Sequence, residues 1–555
     1  MPDGRVRRVG RCSHAGRHAL APPDGARERR DRPIARSGPR LRLRSDRSDD
    51  RRRRRFSRDA RRRPDRGAGS AHRLRGPARD RADDRREAAG GLPEGGNGLS
   101  LRNDRRRRAA RGDPIHLGTG LARAHAATAV TYSETIAYLY GLEASRGWDL
   151  KLERVRAALD ALGRPDRRFA SVLIAGTNGK GSTAALVHEA LVTAGHRVGI
   201  YTSPHLVHFT ERIRIGRAEI GREAVVDGVA RIRSCASPEE TGLTFFEVST
   251  LLAFLSFAES AIDVAVVEVG LGGRLDATNV VEPVCSAITS IGLDHENYLG
   301  HTLAAIAREK AGILRPGVAT VLAPKLPDEA RTAVNARGAE VGARLVDAGG
   351  FCDRVPPIAL VGRHMRENGA IALALLGELG ARVPALAVSE EHVRTAFARV
   401  RWPGRIDVVR ERPRVILDCA HNPDGAAALR REIGAVAGGP VRLVFAALAD
   451  KRWREIAAEL RPAAREVVVV PLRQPRAADP AVLASEFSPF VPTRVGGAPA
   501  AEIDRLARED DGTPILAAGS LFLVGEIYED WLRRSGRASV FETGSSVESA
   551  AETSA

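Results

Sequence analysis

The sequence predicts an α/β protein: a doubly wound, mostly parallel sheet carrying a phosphate loop, followed by a smaller α/β domain of Rossmann-like pattern. Three observations lead there. From Val130 on, short apolar runs alternate with helix-length stretches, the pattern of βα units. A glycine-rich cluster with a lysine and two hydroxyls follows one of those runs, and most other polar clusters also follow one, which is where ligands sit in open α/β sheets. A break near residue 400 separates off a second alternating series.

In chain order, helices are expected near 132–142 and 152–162, a strand at 171–175, a helix at 182–194 and a strand at 198–201. A helix near 247–260, strands at 264–269 and 286–290 and a helix near 303–313 complete the first series. Strands at 415–418, 441–445, 466–470 and 515–518 and a helix near 522–533 form the second. The organisation read from this is an extension over 1–129, a phosphate-loop domain over 130–400, a smaller domain over 401–535 and a frayed, Ser- and Glu-rich tail over 536–555. No internal repeat is visible.

The phosphate loop is the most informative stretch. Ser171-Val-Leu-Ile-Ala-Gly-Thr-Asn-Gly-Lys-Gly-Ser-Thr183 is a strand breaking into a turn, then a helix. Gly176, Gly179 and Gly181 let backbone N–H groups point at anionic oxygens, the helix start adds its positive end, and Lys180 supplies a full charge. The strict nucleotide-loop pattern needs a glycine where Ile174 stands and a hydroxyl where Gly181 stands. The stretch therefore reads as an ATP site of variant type.

The formal charge of +18 would suggest a nucleic-acid or membrane partner, but its distribution argues otherwise. Residues 1–129 hold 37 Arg, no Lys and 16 acidic residues, a net of +21, leaving 50 basic and 53 acidic residues in the remainder, a net of −3. The first quarter has no apolar periodicity with which to offset chain entropy, and is expected to be disordered. Its lysine-free basicity is also what translation from a start upstream of the true one gives, with Val130 as the natural beginning. The alternative is a basic arm on a nucleic-acid-binding ATPase. Cys12, Cys235, Cys285, Cys352 and Cys419 have no metal-site spacing and read as reduced thiols. With no apolar run of membrane length and no signal-peptide core, a cytoplasmic protein without a membrane partner is expected.

Further polar clusters follow the strands. Tyr201-Thr-Ser-Pro-His205 offers Ser203 as a metal or phosphate ligand, or as a plain turn. Val264 to Asn279 carries Glu268 near the end of a buried strand, where a carboxylate beside a phosphate loop holds magnesium; the alternative is a carboxylate satisfied by loop N–H groups. Asp294 and His295 follow the next strand, and Lys310, one of only five lysines after residue 129, ends a helix. Arg401-Trp-Pro-Gly-Arg405 sets an arginine after a rigid turn, suited to phosphate, while Asp418 and His421 end a strand of the second series where a ribose or base can be held.

These motifs, in this order over about 131–531, resemble the folylpolyglutamate synthase/dihydrofolate synthase family of the Mur ligase superfamily. The resemblance is carried by Gly176-Thr-Asn-Gly-Lys-Gly-Ser182, Tyr201-Thr-Ser-Pro-His205, Thr244-Phe-Phe-Glu247, Glu268 to Asn279, Asp294-His295 with Leu299-Gly300, Glu309-Lys-Ala-Gly-Ile313, Trp402-Pro-Gly-Arg405 and Gly519 to Gly525. It implies a Mur ligase-like central domain over 130–400 and a glutamate-ligase domain over 401–535. It further implies that Thr177, Asn178, Gly179, Lys180, Gly181 and Ser182 wrap the ATP phosphates, with Asn368, Arg405, Asp418 and His421 as further ATP contacts. Ser203, Glu268 and His295 would ligate two magnesium ions, and Lys310 would be carbamylated; Lys180, Lys310 and His295 are the implied catalytic residues. Thr244, Phe245, Phe246, Glu247, Leu275, Asp276 and Ala277 are the implied folate or pteroate contacts, with 147–150 a weaker candidate. Departures are Met365, Gly369 and Cys419 where the family has Gln, Ala and Gly, and Arg452 where it has Asp.

The implied reaction adds L-glutamate to dihydropteroate or to a tetrahydrofolate, at the expense of ATP and through an acyl phosphate, in a monomer without a nucleic-acid partner. The nearest alternative is a muropeptide (UDP-MurNAc) amino-acid ligase, which shares the ATP site but places a folded domain before the loop.

Overall fold

The computed structural model describes residues 130–542 apart from Trp148, Leu150 and Asp510. The predicted extension over 1–129, Cys12, and the tail beyond 542 lie outside the described residues.

The first sheet has eight strands: β1 (Ala170–Ala175), β2 (Val198–Tyr201), β3 (Ile213–Ile215), β4 (Ala218–Glu219), β5 (Val264–Glu268), β6 (Cys285–Ile288), β7 (Ala319–Leu322) and β8 (Arg344–Asp347). Their order is β4-β3-β2-β5-β1-β6-β7-β8, parallel except for the β2–β3 and β3–β4 pairs at one edge. β1 lies between β5 and β6, and β5 in turn is flanked by β2. That order brings the loops after β1, β2, β5 and β6 to the same sheet end, which is why clusters far apart in sequence meet. Helices cover the sheet, so Val172 to Ala175 and Val264 to Val267 are buried without alternation.

The second sheet has β9 (Asp407–Glu411), β10 (Arg414–Leu417), β11 (Val441–Phe445), β12 (Ala464–Val469), β13 (Thr493–Val495) and β14 (Ile515–Ala518), ordered β13-β12-β11-β14-β10-β9. Only the β9–β10 pair is antiparallel. The buried core of the first sheet runs from Leu139 to Val400, and those on the two faces of the second from Ile406 to Val540. Among the described residues, no helix is long and apolar enough to cross a membrane. The four described cysteines are free thiols.

Several boundaries move for local reasons. The helix expected at 182–194 is Lys180–Thr193, because Gly179 takes a left-handed conformation (φ +85°) and starts the helix directly. The helix expected from 247 begins at Phe245. Thr244 caps it, its hydroxyl accepting from Glu247 N (3.4 Å) while the Glu247 carboxylate accepts from Thr244 N (2.8 Å). The stretch expected as one helix near 303–313 is Leu303–Lys310 followed by a 3₁₀ turn, Ala311–Ile313. β3, β4, β7, β8, β9 and β13 carried no sequence expectation; each has five residues or fewer. The tail prediction needs correction where it is described: the last helix is Leu521–Ser535, and the chain after it packs inward, with Val540 buried and Phe541 5.7 Å from the Trp402 ring. Apolar side chains in an otherwise polar segment find a place at the junction of the two sheets' cores.

Candidate active site

The loop after β1 is shaped by close approach. A Cβ on Gly176 would lie 2.0 Å from Thr289 Oγ1, and one on Gly179, already at positive φ, 2.5 Å from Asn368 Oδ1. Only glycine fits either place. Ser290, after β6, holds the loop open: its carbonyl accepts from Thr177 N (2.9 Å) and its hydroxyl from Asn178 N (2.8 Å). Lys180, Gly181 and Ser182 then form the first turn of a fourteen-residue helix, whose free N–H groups face the same space. Lys180 Nζ donates to Thr177 O (3.2 Å) and stands 3.8 Å from Glu268 Oε1.

Glu268 ends β5 beside that loop and is buried, accepting from Ser203 N at 3.3 Å. Burial pushes its carboxyl up and Lys180 opposes this. Arg405 and Arg212 oppose it too, yet within direct reach the carboxylate has only one long hydrogen bond and Lys180 at 3.8 Å, which leaves room for a further cation. Ser203 and His295 line the same cavity. Burial and Lys451 push His295 down to about 4, leaving a neutral imidazole. A carboxylate, a hydroxyl and a neutral imidazole, with phosphate oxygens completing the set, fit a hard divalent cation such as magnesium.

Lys310, at the end of its helix, is buried and donates from Nζ to Gly176 O (2.9 Å), directly behind the phosphate loop. Burial and the nearby Lys180 charge push it down to about 7.

The second sheet supplies the other wall. Asn422 and Asn178 exchange side-chain amide hydrogen bonds (2.9 and 3.2 Å), and Asn422 Nδ2 also donates to Asp294 Oδ2 (3.2 Å). Lys451 Nζ donates to Asp294 Oδ1 (2.7 Å). Burial would raise Asp294, yet Lys451, His295 and His421 hold it well below the usual carboxylate range. His421 donates from Nδ1 to Cys419 O (2.8 Å), and burial lowers it to about 4. Asp418 accepts from Ile406 N and Ala420 N (2.8 Å each), bracing the turn that carries Arg405. Trp402 of that turn lies 3.0 Å from where a Gly181 Cβ would be, so it rests on the phosphate loop itself.

All of the predicted site residues border one cavity of about 680 Å³, except Leu275 and Asp276. Asp276 is fully buried and spent on structure: its carboxylate accepts from Leu271 N (2.8 Å), Thr278 N (3.0 Å) and Thr278 Oγ1 (2.5 Å). The loop-satisfying role weighed for Glu268 thus belongs to Asp276, while Ala277 does reach the cavity. Of the weaker candidate 147–150, Gly147 and Asp149 line the cavity. Phe245 stacks on Tyr140 (5.7 Å), Phe246 packs on Tyr201 (6.0 Å), and Glu247 is held by both its oxygens to Arg154 Nε (2.8 and 2.9 Å). Sequence reasoning passed over Arg212, Lys451, Asn422 and Ser290 as site residues. Asn422 directly follows His421 and Lys451 is among the scarce lysines, whereas Arg212 gives no signal in a chain rich in arginine.

Comparison with known proteins matches residues 174–323 to the Mur ligase middle domain and 404–521 to the Mur ligase glutamate ligase domain. The dihydrofolate synthase/folylpolyglutamate synthase of Escherichia coli (strain K12) is 37% identical over 359 residues, covering 62% of this chain and 82% of that protein. The chain belongs to the folylpolyglutamate synthase/dihydrofolate synthase family. A probable bifunctional folylpolyglutamate synthase/dihydropteroate synthase of Haloferax volcanii is 35% identical over 72% of this chain, which spans about half (51%) of that longer protein. Among solved structures, E. coli FolC in complex with DHPP and ADP is 33% identical with a TM-score of 0.66, covering 72% of this chain and 98% of that one. A bifunctional folylpolyglutamate synthase/dihydrofolate synthase with Mn, AMPPNP and L-glutamate bound is 33% identical with a TM-score of 0.64, covering 72% and 99%.

The departures from the family pattern at Met365, Gly369 and Arg452 have local settings. Met365 is buried and its sulfur accepts from Asn368 Nδ2 (3.5 Å), so Asn368 keeps a partner. A Cβ on Gly369 would meet Ile358 and Val355 at 2.8 Å, so the replacement of Ala answers to packing. Arg452 pairs with Glu455 (2.6 Å) and does not line the cavity.

Proposed function

We propose that the chain is an ATP-dependent ligase that joins L-glutamate to the carboxylate of dihydropteroate, of a tetrahydrofolate, or of both. One observation carries this reading: a single cavity holds Lys180, Glu268 and Lys310 at the phosphate loop and the aromatic wall of Phe245 and Phe246. A flat heterocycle and a triphosphate therefore face one another across a shared space.

The loop N–H groups and Lys180 hold the β- and γ-phosphates, with Asn368, Arg405, Asp418 and His421 as contacts to the rest of ATP. Ser203, Glu268 and His295 are assigned to divalent metal, two ions in all, which when bound neutralise phosphate charge. The acceptor carboxylate attacks the γ-phosphorus, the bond to the β-phosphate oxygen breaks, and ADP leaves an acyl phosphate. The amine of L-glutamate attacks that carbonyl carbon, loses a proton, and phosphate departs as the amide forms. Lys180 offsets charge on the transferring group in the first step. Lys310 is assigned as a carbamate: burial and the Lys180 charge shift its amine toward the neutral form, the form that adds to carbon dioxide, and the product is an anion beside Lys180.

Residues 130–400 act as the ATP-binding domain and 401–535 as the glutamate-ligase domain of a cytoplasmic monomer that needs neither membrane nor nucleic acid. The test is phosphate release dependent on ATP and glutamate, with dihydropteroate and tetrahydrofolate compared as acceptors. Release with neither, but with a muropeptide precursor, overturns the assignment. A protein lacking residues 1–129 is expected to retain the full-length chain's kcat and KM within about twofold. A folded but inactive truncation, or loss of salt-dependent DNA binding together with activity, would show that the arginine-rich segment takes part.

A further inference from the structure

Arg212 is a buried cation at the cavity wall for which the reaction, as derived above, has no use. It closes the 3₁₀ turn Phe209–Arg212 that leads into β3, and its carbonyl accepts from Thr202 N (2.9 Å), which fixes it next to Ser203. The residue is 7% exposed, and what remains open lines the cavity.

A buried guanidinium ordinarily has a carboxylate partner. Here the neighbouring acid is withdrawn: Glu211 accepts from Leu206 N (2.7 Å), Val207 N (2.8 Å) and His208 N (2.7 Å). Glu247 is occupied by Arg154, and Glu268 faces Lys180. Among the described residues, no carboxylate oxygen lies within 4 Å of the Arg212 guanidinium. Its hydrogen-bond and ring partners are neutral. Nε donates to His205 Nδ1 (2.8 Å), and His205, kept neutral by burial and by the Arg212 charge, presents Nε2 to the Tyr140 hydroxyl (3.1 Å). The guanidinium carbon lies 5.0 Å from the Phe245 ring centre and 5.9 Å from that of Phe209. The group is thus oriented through Nε by His205 and flanked by aromatic side chains, the Tyr201 phenol among them, all of them neutral, so the guanidinium's donors are not matched by a carboxylate.

We propose that Arg212 binds the carboxylate of the acceptor and presents it to the phosphate loop. Its place supports this: Phe245, on the aromatic wall, is in contact on one side, and Ser203, beside Glu268 and the loop, is adjacent on the other. An acceptor whose ring lies on that wall has its carboxylate end in the direction of Lys180, and a planar fork of donors matches a carboxylate in geometry as well as charge. The assignment rests on the folate reading above.

The test uses Arg212→Gln and Arg212→Lys in the full-length chain, with dihydropteroate as acceptor and, as inhibitor, the analogue bearing hydrogen in place of its carboxylate. Arg212→Gln is expected to raise the acceptor KM about 10- to 100-fold, the span of a charge-assisted pair. ATP KM, ADP affinity and inhibition by the carboxylate-free analogue should stay within about twofold, and Arg212→Lys should fall in between. An acceptor KM unchanged in Arg212→Gln, or equal weakening of the analogue, overturns the proposal, because a merely structural cation–π contact would affect both ligands alike. If Arg212→Gln does not fold, the same comparison is made on Arg212→Lys, whose expected loss is about 3- to 10-fold for the carboxylate ligand alone. A wild-type protein that turns over neither dihydropteroate nor tetrahydrofolate overturns the folate reading and this assignment together. An active wild type with an insensitive Arg212 overturns only the latter.

Discussion

Lys310→Ala is expected to lose about 10²- to 10³-fold in kcat, the usual cost of removing a positioned charge from a water-excluded site, and to regain part of it with a small carboxylic acid. The side chain is buried, contacts Gly176 O behind the phosphate loop, and has Lys180 as a like-charged neighbour. In the proposed carbamylation the ammonium first loses a proton, the neutral amine then bonds to the carbon of carbon dioxide and loses a second proton, and a cation that repels Lys180 becomes an anion that attracts it. Alanine leaves a cavity that acetate or formate can enter with the same charge. The pH dependence has a definite sign. Only the neutral amine reacts, and its pKa is pushed down to about 7, so wild-type activity should decline as pH falls through that value. The alanine variant with added acetate should lack that decline, because the acid stays ionised down to its much lower pKa. Rates with and without 10 to 100 mM acetate, across pH 6 to 9, check both points. Undiminished activity in the variant removes Lys310 from the site.

Glu268→Gln is expected to lower kcat by a similar ~10²- to 10³-fold and to raise the magnesium concentration needed for half-maximal rate by more than ~10-fold. Glutamine preserves volume and the acceptor for Ser203 N, so the strand and its neighbours have no reason to rearrange. What disappears is the negative charge facing Lys180 at 3.8 Å. ADP affinity measured without divalent ion should hold or improve, since a carboxylate near the phosphates repels them when no cation intervenes. Manganese binding in the presence of ADP gives a direct second readout. An unchanged metal dependence would move the ion away from Glu268.

Much of the site could be read from residue order because the pertinent constraints are local. Glycines at 176, 179 and 181 next to a lysine and a hydroxyl announce a backbone that must turn sharply beside an anion, and the steric reasons, Thr289 against Gly176 and Asn368 against Gly179, agree. Glu268 at the end of an apolar run was legible for the same reason. Asp276 was not: a carboxylate in a glycine-rich loop looks alike in sequence whether it faces a ligand or caps its own loop, and only the three hydrogen bonds to Leu271 and Thr278 separate the two. The inward packing of the last segment is not legible in the sequence because Val540 and Phe541 are two apolar residues in polar company; Val540 joins the core of the second sheet, and Phe541 packs on Trp402 and Arg214, more than a hundred residues earlier.

Periodicity and turn chemistry act over a few residues, so the βα alternation, the phosphate loop and the family were decided in the linear chain. Which strands are neighbours is settled by burial of whole faces, and the consequences appear only in three dimensions. The β2-β5-β1-β6 order brings Ser203, Glu268, Lys180 and the Asp294 loop to one sheet end. The Asn178–Asn422 and Asp294–Lys451 pairs close the second sheet over it, across 244 and 157 residues of chain. The lowered affinity of Lys310 for its proton and the unmatched charge of Arg212 likewise come from desolvation and from what stands nearby, quantities that a residue's identity does not contain.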